Sequence, residues 1–375
     1  MILVRVVVGV LAVAGVVAVL SSAVRTVVVP RAVPARLARI AFLSARNLLL
    51  LRLAGRSDYK TRDRVFALQS PLTLFIQLVT WGALTYLSFA ALFWSLNATR
   101  INGTSVAHAL DLSGSSMLTL GFDAPEGLVR QLAAFAAAAV GLTLLALVIA
   151  YLPTLYGAFS RREGLVTKLS VRAGSPPSGP ALLSRTWQLE RFDHLEEVWD
   201  PWEDWFIDVG ETHTTFPQLG FFRSPHSRNH WVLATESVLD GASLFLTACD
   251  APRDSRSELC LKAGIHCLIS LADFLGIPHH PPEPDAEIAL PREKFDAAFR
   301  ELRALGVPMR QDPEKAWSDF RVTRARYEPL LAVIGRMTDA PRSEWSSWSE
   351  TTPRHSPPLW RMTTPRFRRG TGRGT

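Results

Sequence analysis

The chain has 375 residues, of which 48% are hydrophobic and 20% charged, with a formal net charge of +7; this length accommodates a membrane domain and one soluble domain. The basic residues crowd around long apolar stretches, which favours anionic lipid headgroups rather than nucleic acid as partner. Three cysteines without a short-loop framework argue against a disulfide-stabilised fold and fit a reducing compartment.

Three long runs without charged residues predict membrane-spanning helices. They cover residues 6–24, 71–99 and 131–160. Each approaches or exceeds the roughly 20 residues that cross a hydrocarbon core of about 30 Å. Because the backbone in lipid must satisfy its own hydrogen bonds, we expect these runs to be helical. Trp94 and Tyr151 lie near span ends, where aromatic side chains favour the membrane interface.

The distribution of Lys and Arg predicts how the spans are oriented. Ten basic residues lie between the first two spans, and four follow soon after the third, but only Arg100 and Arg130 lie between the second and third. The positive-inside rule therefore places residues 25–70 and everything after 160 in the cytoplasm of a plasma-membrane protein, with the N-terminus outside. An alternative is that residues 1–23 are a cleaved signal peptide.

The segment that follows the first span is strongly basic. We predict a first transmembrane helix within 1–29 and a basic cytoplasmic connector over 30–69. Residues 35–54 alternate arginines with leucines and other apolar residues. This stretch is either a helix lying on the inner leaflet or a plain basic connector, since its charges do not segregate cleanly to one face.

The loop between the second and third spans carries an unusual pattern. It begins with the helix-capping types Asn102, Thr104 and Ser105, continues apolar through Leu112, and then turns to small hydroxyl residues. The pattern predicts a short helix that dips into the membrane and returns as an extended strand. Irregular backbone is tolerated at that depth only where it is buried in protein or lines a water path.

The residues that end this loop carry a resemblance to a known family. Thr119, Leu120, Gly121 and Phe122 stand in the order Thr-hydrophobic-Gly-aromatic between two long spans, which resembles the filter of bacterial pore-loop potassium channels over about residues 70–160. The resemblance implies a pore domain in which Ser115 and Ser116 end the pore helix. It also implies that the carbonyls of 119–122 replace the water shell of a monovalent cation, potassium, without a bound cofactor. Since one chain supplies one loop, the resemblance implies a homotetramer.

Asp123 departs from the family pattern, which has a second filter glycine there. Four such aspartates would form a ring of charge at the outer mouth and attract cations, while the side chain restricts the backbone and puts strict potassium selectivity in doubt. In the third span, Gly141 and Pro153 are helix weak points. They predict a gating hinge and a bend, or equally a close helix contact and the end of the span.

The C-terminal half predicts a helical cytoplasmic domain. We expect a linker over 161–184 whose residues 170–184 are rich in Gly, Pro and Ser, a compact helical bundle over 185–339, and a disordered tail over 340–375. The apolar spacing favours helices over 187–207, 230–249, 256–275, 293–305 and 317–337, with Pro329 bending or breaking the last. The fold class is thus an all-α membrane protein with three transmembrane helices, a re-entrant pore helix and filter, and a helical domain.

Catalytic or metal chemistry has little support in this domain. Several side chains could be ligands, but none has a signature spacing: Glu211, His213, His230, Asp240, His266, His279 and His280. Cys260 and Cys267 are seven residues apart and more typical of a helical core than of zinc. The sequence therefore predicts a tetrameric cation channel that is not an enzyme, whose soluble domain has an unidentified ligand. The alternatives are a membrane-anchored scaffold or signalling protein and, with least support, a membrane-tethered hydrolase.

Overall fold

A computed structural model of the chain describes residues 2–27, 36–53, 58–96, 106–123, 125–252, 254–283 and 285–346. Apart from one isolated β-bridge between Cys249 and Met309, the regular elements in these ranges are helices. The helices are α1 Ile2–Val27, α2 Arg36–Arg52, α3 Tyr59–Phe66, α4 Gln69–Ser95, α5 Val106–Met117, α6 Leu128–Ala173, α7 Gly179–Gln188, α8 Glu196–Thr215, α9 Trp231–Ala248, α10 Ser255–Leu275, α11 Arg292–Ala304, α12 Pro313–Arg324 and α13 Glu328–Met337.

Three helical stretches are long and apolar enough to cross a membrane. They are Ile2–Val27, Tyr59–Ser95 and Leu128–Ala173, which agree with the three predicted spans by length and composition and confirm the all-helical part of the predicted fold class, whereas the re-entrant pore helix and filter stay predictions. The chain divides into two compact units. One consists of Met1–Phe159 with Thr215–Phe222, and the other of Ser160–Thr214 with Arg223–Thr375.

In the first unit, α1 packs closely along α4 through small residues. A β-carbon at Gly15 would lie 2.5 Å from Ser88 Oγ, and one at Gly9 would lie 2.9 Å from Ser95 Oγ. Trp81 Nε1 donates a hydrogen bond of 3.2 Å to Ser22 Oγ on α1. Small residues let membrane helices approach closely, so Gly9 and Gly15 allow α1 and α4 to pack side by side, while cleavage of residues 1–23 stays an untested alternative.

The basic connector predicted for 30–69 is largely helical where the structure describes it. On α2, Phe42 and Leu49 are buried, and the Phe42 ring centroid lies 4.7 Å from that of Phe221. Leu48 and Leu51 of the same helix are exposed. The side chain of Asp58 caps α3 by accepting a hydrogen bond from the Thr61 N–H. Whether α2 lies on a lipid leaflet stays a prediction.

The linker predicted over 161–184 is wrong for most of its length. Helix α6 continues to Ala173, and α7 begins at Gly179. The helix continues because Val166, Leu169 and Ala173 recur at helical spacing and are buried. The Pro-rich stretch that breaks the chain is only 174–178, and Ser178 then caps α7 by accepting a hydrogen bond from the Ala181 N–H.

The second unit is a bundle of helices around α9. Every residue of Trp231–Ala248 is buried except Leu246, and α7, α10, α12 and α13 pack against this helix. Helices predicted over 230–249, 256–275 and 293–305 are confirmed within one or two residues. The segment 317–337 is divided between α12 and α13, with Pro329 in the first turn of α13.

The predicted helix over 187–207 is also divided, because α7 ends at Gln188 and a short 3-10 turn, Phe192–His194, precedes α8. The tail predicted from residue 340 is wrong at its start. Trp345 is buried against Phe320, with ring centroids 6.1 Å apart. The remainder of that prediction, 347–375, lies outside the described residues.

Candidate functional site

Helix α5 is seated against α4 in the first unit. Its residues Ala109 and Leu112 are buried in an apolar cluster with Phe89 and Phe93 of α4. The hydroxyl of Ser113 donates a hydrogen bond of 2.7 Å to the carbonyl of Tyr86 within α4. Apolar packing and one buried hydrogen bond thus fix this twelve-residue helix. Asn102, Thr104 and Ser105, which the sequence predicts at its start, lie outside the described residues.

The C-terminal end of α5 is also in contact with α6. A β-carbon at Gly141 would lie 2.2 Å from the carbonyl oxygen of Met117, the last residue of α5. Real side chains essentially never come this close to a backbone atom, so only glycine fits. The geometry favours the close-packing interpretation of Gly141, and the predicted hinge stays untested.

The chain leaves α5 through a Schellman motif, which is a common way to end a helix. The N–H of Leu120 donates to the Ser115 carbonyl (2.8 Å), and the N–H of Thr119 donates to the Ser116 carbonyl (3.1 Å). Ser115 and Ser116 therefore lie in the last turn of α5, where the sequence predicts them. The predicted extended return strand is wrong for 119–120, because these residues bond back onto the helix.

Thr119 occupies the position where this motif usually has glycine. Its φ is +56°, and Gly121 has a φ of +73°, whereas Leu120 and Phe122 do not adopt positive φ. A β-branched residue in the left-handed region is an outlier that costs about 1–2 kcal/mol. Strain of this kind clusters at functional sites.

Within the described part of the chain, the carbonyls of this turn accept no hydrogen bond. Among the hydrogen bonds of the described residues, none is accepted by the carbonyl oxygens of Thr119, Leu120, Gly121 or Phe122. The side chains of Leu120 and Phe122 are 61% and 64% exposed. One chain alone therefore leaves four adjacent carbonyls and two large apolar side chains uncovered.

Asp123 is fastened back to α5 on both its backbone and its side chain. Its N–H donates to Ser115 Oγ (3.1 Å), and that hydroxyl lies 3.4 Å from the Asp123 carbonyl. The carboxylate Oδ2 lies 3.1 Å from His108 Nδ1, and the Asp123 side chain is only 11% exposed. Sequence reasoning predicts a charge at an outer mouth and misses His108, since no motif spacing links residues fifteen apart.

Pro153 lies inside α6, and the helix continues on both sides of it. Proline has no N–H, so the usual bond to the carbonyl four residues earlier is lost. The hydroxyl of Thr154 donates a hydrogen bond of 3.1 Å to the carbonyl of Ala150. The helix therefore does not end at Pro153, while a bend there and the end of the membrane span stay predictions.

Two histidines named in the sequence are buried together in the second unit. Arg162 Nη1 lies 3.0 Å from His213 Nε2, and the rings of His213 and Trp231 are 5.1 Å apart. Since guanidinium only donates, His213 accepts at Nε2 and holds its proton on Nδ1. His230 accepts from the Val232 N–H at Nδ1 and caps α9. Neither arrangement leaves a nitrogen pair presented to a metal.

Burial sets the charge states of these histidines. It lowers the pKa of His213 well below its ordinary value, and the nearby positive charge of Arg162 lowers it further. Burial likewise lowers the pKa of His230, helped by Arg223 and Arg162. Both imidazoles are therefore neutral near pH 7.

The remaining candidates of the soluble domain are not gathered with these histidines. Asp240, ten residues after His230, forms an ion pair with Arg324. Glu211 is exposed on α8. Cys260 and Cys267 are buried free thiols, and burial raises the pKa of Cys267 to about 12. In the part of the chain that the structure describes, no three His, Cys, Asp or Glu side chains form a group that could hold a metal.

Comparison with models of known protein families, with curated proteins and with solved structures found no match to this chain. What the protein does must therefore be argued from its own residues.

Proposed function

We propose that four copies of this chain form a cation channel of the plasma membrane, in which carbonyl oxygens of Thr119, Leu120, Gly121 and Phe122 bind dehydrated potassium. The observation that carries the proposal is that these four consecutive carbonyls accept no hydrogen bond among the described residues. Residues 119–122 are exposed in the single chain, so these carbonyls are open to a ligand. Rings of such carbonyls can replace the hydration shell of a cation.

The backbone at this turn supports the same function. Thr119 holds a strained left-handed conformation, and Gly121 repeats the positive φ two residues later. In the proposed tetramer, these two positive-φ residues turn the carbonyls of the loop toward the pore axis, as a row of ion sites requires. The strain is offset by the bonds from Thr119 and Leu120 to the last turn of α5. The negative end of the α5 dipole lies at the same place and favours a cation.

A tetramer follows from what one copy leaves uncovered. A single loop cannot surround an ion, and Leu120 and Phe122 are exposed apolar side chains beside the carbonyls. In a fourfold assembly these side chains pack behind the filter against neighbouring copies. Burying such side chains gains about 1.5–3 kcal/mol each, which helps to hold the carbonyls toward the axis.

Asp123 supports the pore by holding the loop to α5 rather than by presenting an exposed charge at the outer mouth. Its contacts with Ser115 and His108 anchor the outer end of the loop to α5. Because this position lacks a second glycine, the outermost carbonyl site is restricted. We propose that the channel passes monovalent cations, with potassium preferred.

Rubidium uptake into liposomes tests this proposal. Purified full-length protein is reconstituted with an outward potassium gradient, and uptake is compared for wild type, Gly121→Ala and Gly127→Ala. Gly127 is the matched control, because it also has positive φ, +89°, and no atom within 4 Å of an added β-carbon. We expect wild type and Gly127→Ala to take up rubidium and Gly121→Ala to lose uptake.

Two results would contradict the proposal. Uptake that is equal in Gly121→Ala and wild type would remove the filter assignment. A wild-type protein that is monomeric by mass in detergent and passes no rubidium would leave a membrane-anchored scaffold or signalling protein as the better explanation.

A further inference from the structure

A groove runs along the surface between α1 and α4 in the first unit. It has a volume of about 560 Å³ and is lined mostly by apolar side chains of α1 and of the end of α4, with Gly9, Ser95 and the cation Arg5 among them. It is separate from the loop that carries the proposed filter. The inference drawn from it does not depend on ion conduction.

Helix geometry puts the cation of this groove at the level of lipid headgroups. Arg5 and Arg25 bracket the charge-free run of α1. At 1.5 Å per residue they are about 30 Å apart along the helix, which is the thickness of a hydrocarbon core. Arg5 therefore belongs at one interface and Arg25 at the other. The Arg5 guanidinium stands 6.0 Å from the ring centre of Trp94, a residue type that favours the interface.

The length of the groove fits one lipid chain in one leaflet. From Arg5, at the headgroup level, to Val13 the lining covers about 12 Å of helix, somewhat less than half of the roughly 30 Å core. Val6, Val10 and Val13 are exposed along it. An aliphatic wall of this length, ending at a guanidinium, matches an acyl chain ending at a phosphate.

We propose that this groove binds one phospholipid with an anionic headgroup, whose acyl chain lies along Val6, Val10 and Val13 and whose phosphate contacts Arg5. The planar fork of an arginine suits the oxygens of a phosphate. A zwitterionic lipid has the same phosphate and chains, but its ammonium opposes the Arg5 charge. The groove therefore prefers anionic lipid.

Native mass spectrometry of the full-length protein tests this preference. The protein in mild detergent is incubated with equal amounts of phosphatidylglycerol and phosphatidylcholine of identical chains, and the retained lipids are counted. We expect wild type to retain phosphatidylglycerol about fivefold over phosphatidylcholine, because one basic residue at the surface contributes that much attraction. Arg5→Gln lowers the ratio toward one.

Two further variants separate the headgroup from the chain. Arg25→Gln removes the same charge at the opposite end of α1 and keeps the ratio of the wild type. Val10→Trp fills the groove and reduces retention of both lipids while Arg5 stays in place. Each variant is first checked for a wild-type unfolding temperature, and Arg5→Lys replaces Arg5→Gln if that protein does not fold, with a smaller loss expected.

The proposal would be overturned if wild type and Arg5→Gln retained phosphatidylglycerol over phosphatidylcholine in the same ratio. It would also be overturned if Arg5→Gln and Arg25→Gln lowered that ratio equally. Undiminished retention in Val10→Trp would show that the lipid lies elsewhere. Because lipid retention needs no flux, its failure leaves the channel proposal standing, and a failed rubidium assay leaves the lipid site standing.

Discussion

The carbonyl oxygen of Met117 occupies the place that any side chain at Gly141 would need, with only 2.2 Å between that oxygen and an added β-carbon. Helix α6 thus supports α5 at the turn where the proposed filter begins. A backbone atom cannot move aside as the tip of a flexible side chain can, so a side chain at position 141 would have to displace the end of α5.

Replacing Gly141 by alanine should therefore displace the end of α5. We expect Gly141→Ala to lose rubidium flux and to lower the free energy of unfolding by about 1–3 kcal/mol, as overpacking does. Gly164→Ala on the same helix is the matched control, since nothing lies within 4 Å of its added β-carbon. If Gly141 is a hinge, the alanine variant would keep the single-channel current and change only the open fraction.

The two serines that end α5 should differ in importance. Ser115 is buried and bonds to the backbone of Asp123, whereas Ser116 is only half-buried. We expect Ser115→Ala to destabilise the fold by about 1 kcal/mol and to weaken discrimination of potassium from sodium, because the outer end of the loop is released. Reversal potentials in planar bilayers measure this, and Ser116→Ala should match the wild type. Identical selectivity in both variants would contradict the anchoring role of Ser115.

In the second unit, one arginine joins three helices. Arg324 of α12 is wholly buried and contacts Asp240 (2.7 Å) and Glu236 (3.3 Å) of α9 and Glu328 (2.8 Å) of α13. Removing one partner of a buried ion pair leaves the others uncompensated, at a cost of about 3–5 kcal/mol. We therefore expect Arg324→Met to unfold this unit at markedly lower denaturant, as followed by tryptophan fluorescence of the full-length protein.

The control for that substitution is an arginine on the surface. Arg256→Met breaks a pair with Asp200 in which both side chains are about half exposed, and such pairs contribute about 0–1 kcal/mol. A denaturation midpoint for Arg324→Met that equals the midpoint for Arg256→Met would show that the buried cluster does not hold the helices together.

Acidification should destabilise the second unit through its histidines. The pKa values of His213 and His230 are lowered in the folded state, so the unfolded chain binds more protons below about pH 6.5. Each imidazole then reduces the free energy of unfolding by as much as about 1.4 kcal/mol per pH unit. Asp240 acts in the opposite direction, because burial raises its pKa to about 6. The stabilisation that protonated Asp240 gives the folded state is present at low pH and is lost as the pH rises through about 6.

Urea denaturation between pH 7 and pH 5 checks this prediction. With two imidazoles against one carboxyl, we expect the free energy of unfolding to fall as the pH is lowered. In His213→Gln the free energy of unfolding should fall less steeply with decreasing pH, because only one of the two imidazoles remains. A wild-type free energy that is flat or rises toward pH 5 would contradict the assignment of neutral, buried histidines.

Much of the fold could be predicted because its signals are local. The charge-free runs predict the spans, and Pro329 separates two helices as its missing N–H requires. The extent of α6 could not be predicted in the same way. Its polar residues after 160 suggest a linker. The helical spacing of Val166 and Leu169 becomes decisive only when the residues that bury them are known.

The candidate site was predictable in its residue types but not in its contacts. The order Thr119 to Phe122 is visible in the sequence, whereas the bond from His108 to Asp123 depends on the phase of α5 and the handedness of the turn. Similarly, Arg324 meets Asp240 across 84 positions of sequence. Contacts between distant residues depend on how helices cross, and residue spacing carries no information about that.

The burial of α9 has a consequence for how this protein can be regulated. A helix enclosed along nearly its whole length offers no surface to an incoming molecule, and opening a path to it would separate the helices that Arg324 joins. Any regulatory ligand of this unit must therefore bind its outer helices. Substitutions along α9 would then change the amount of folded protein rather than its response to that ligand.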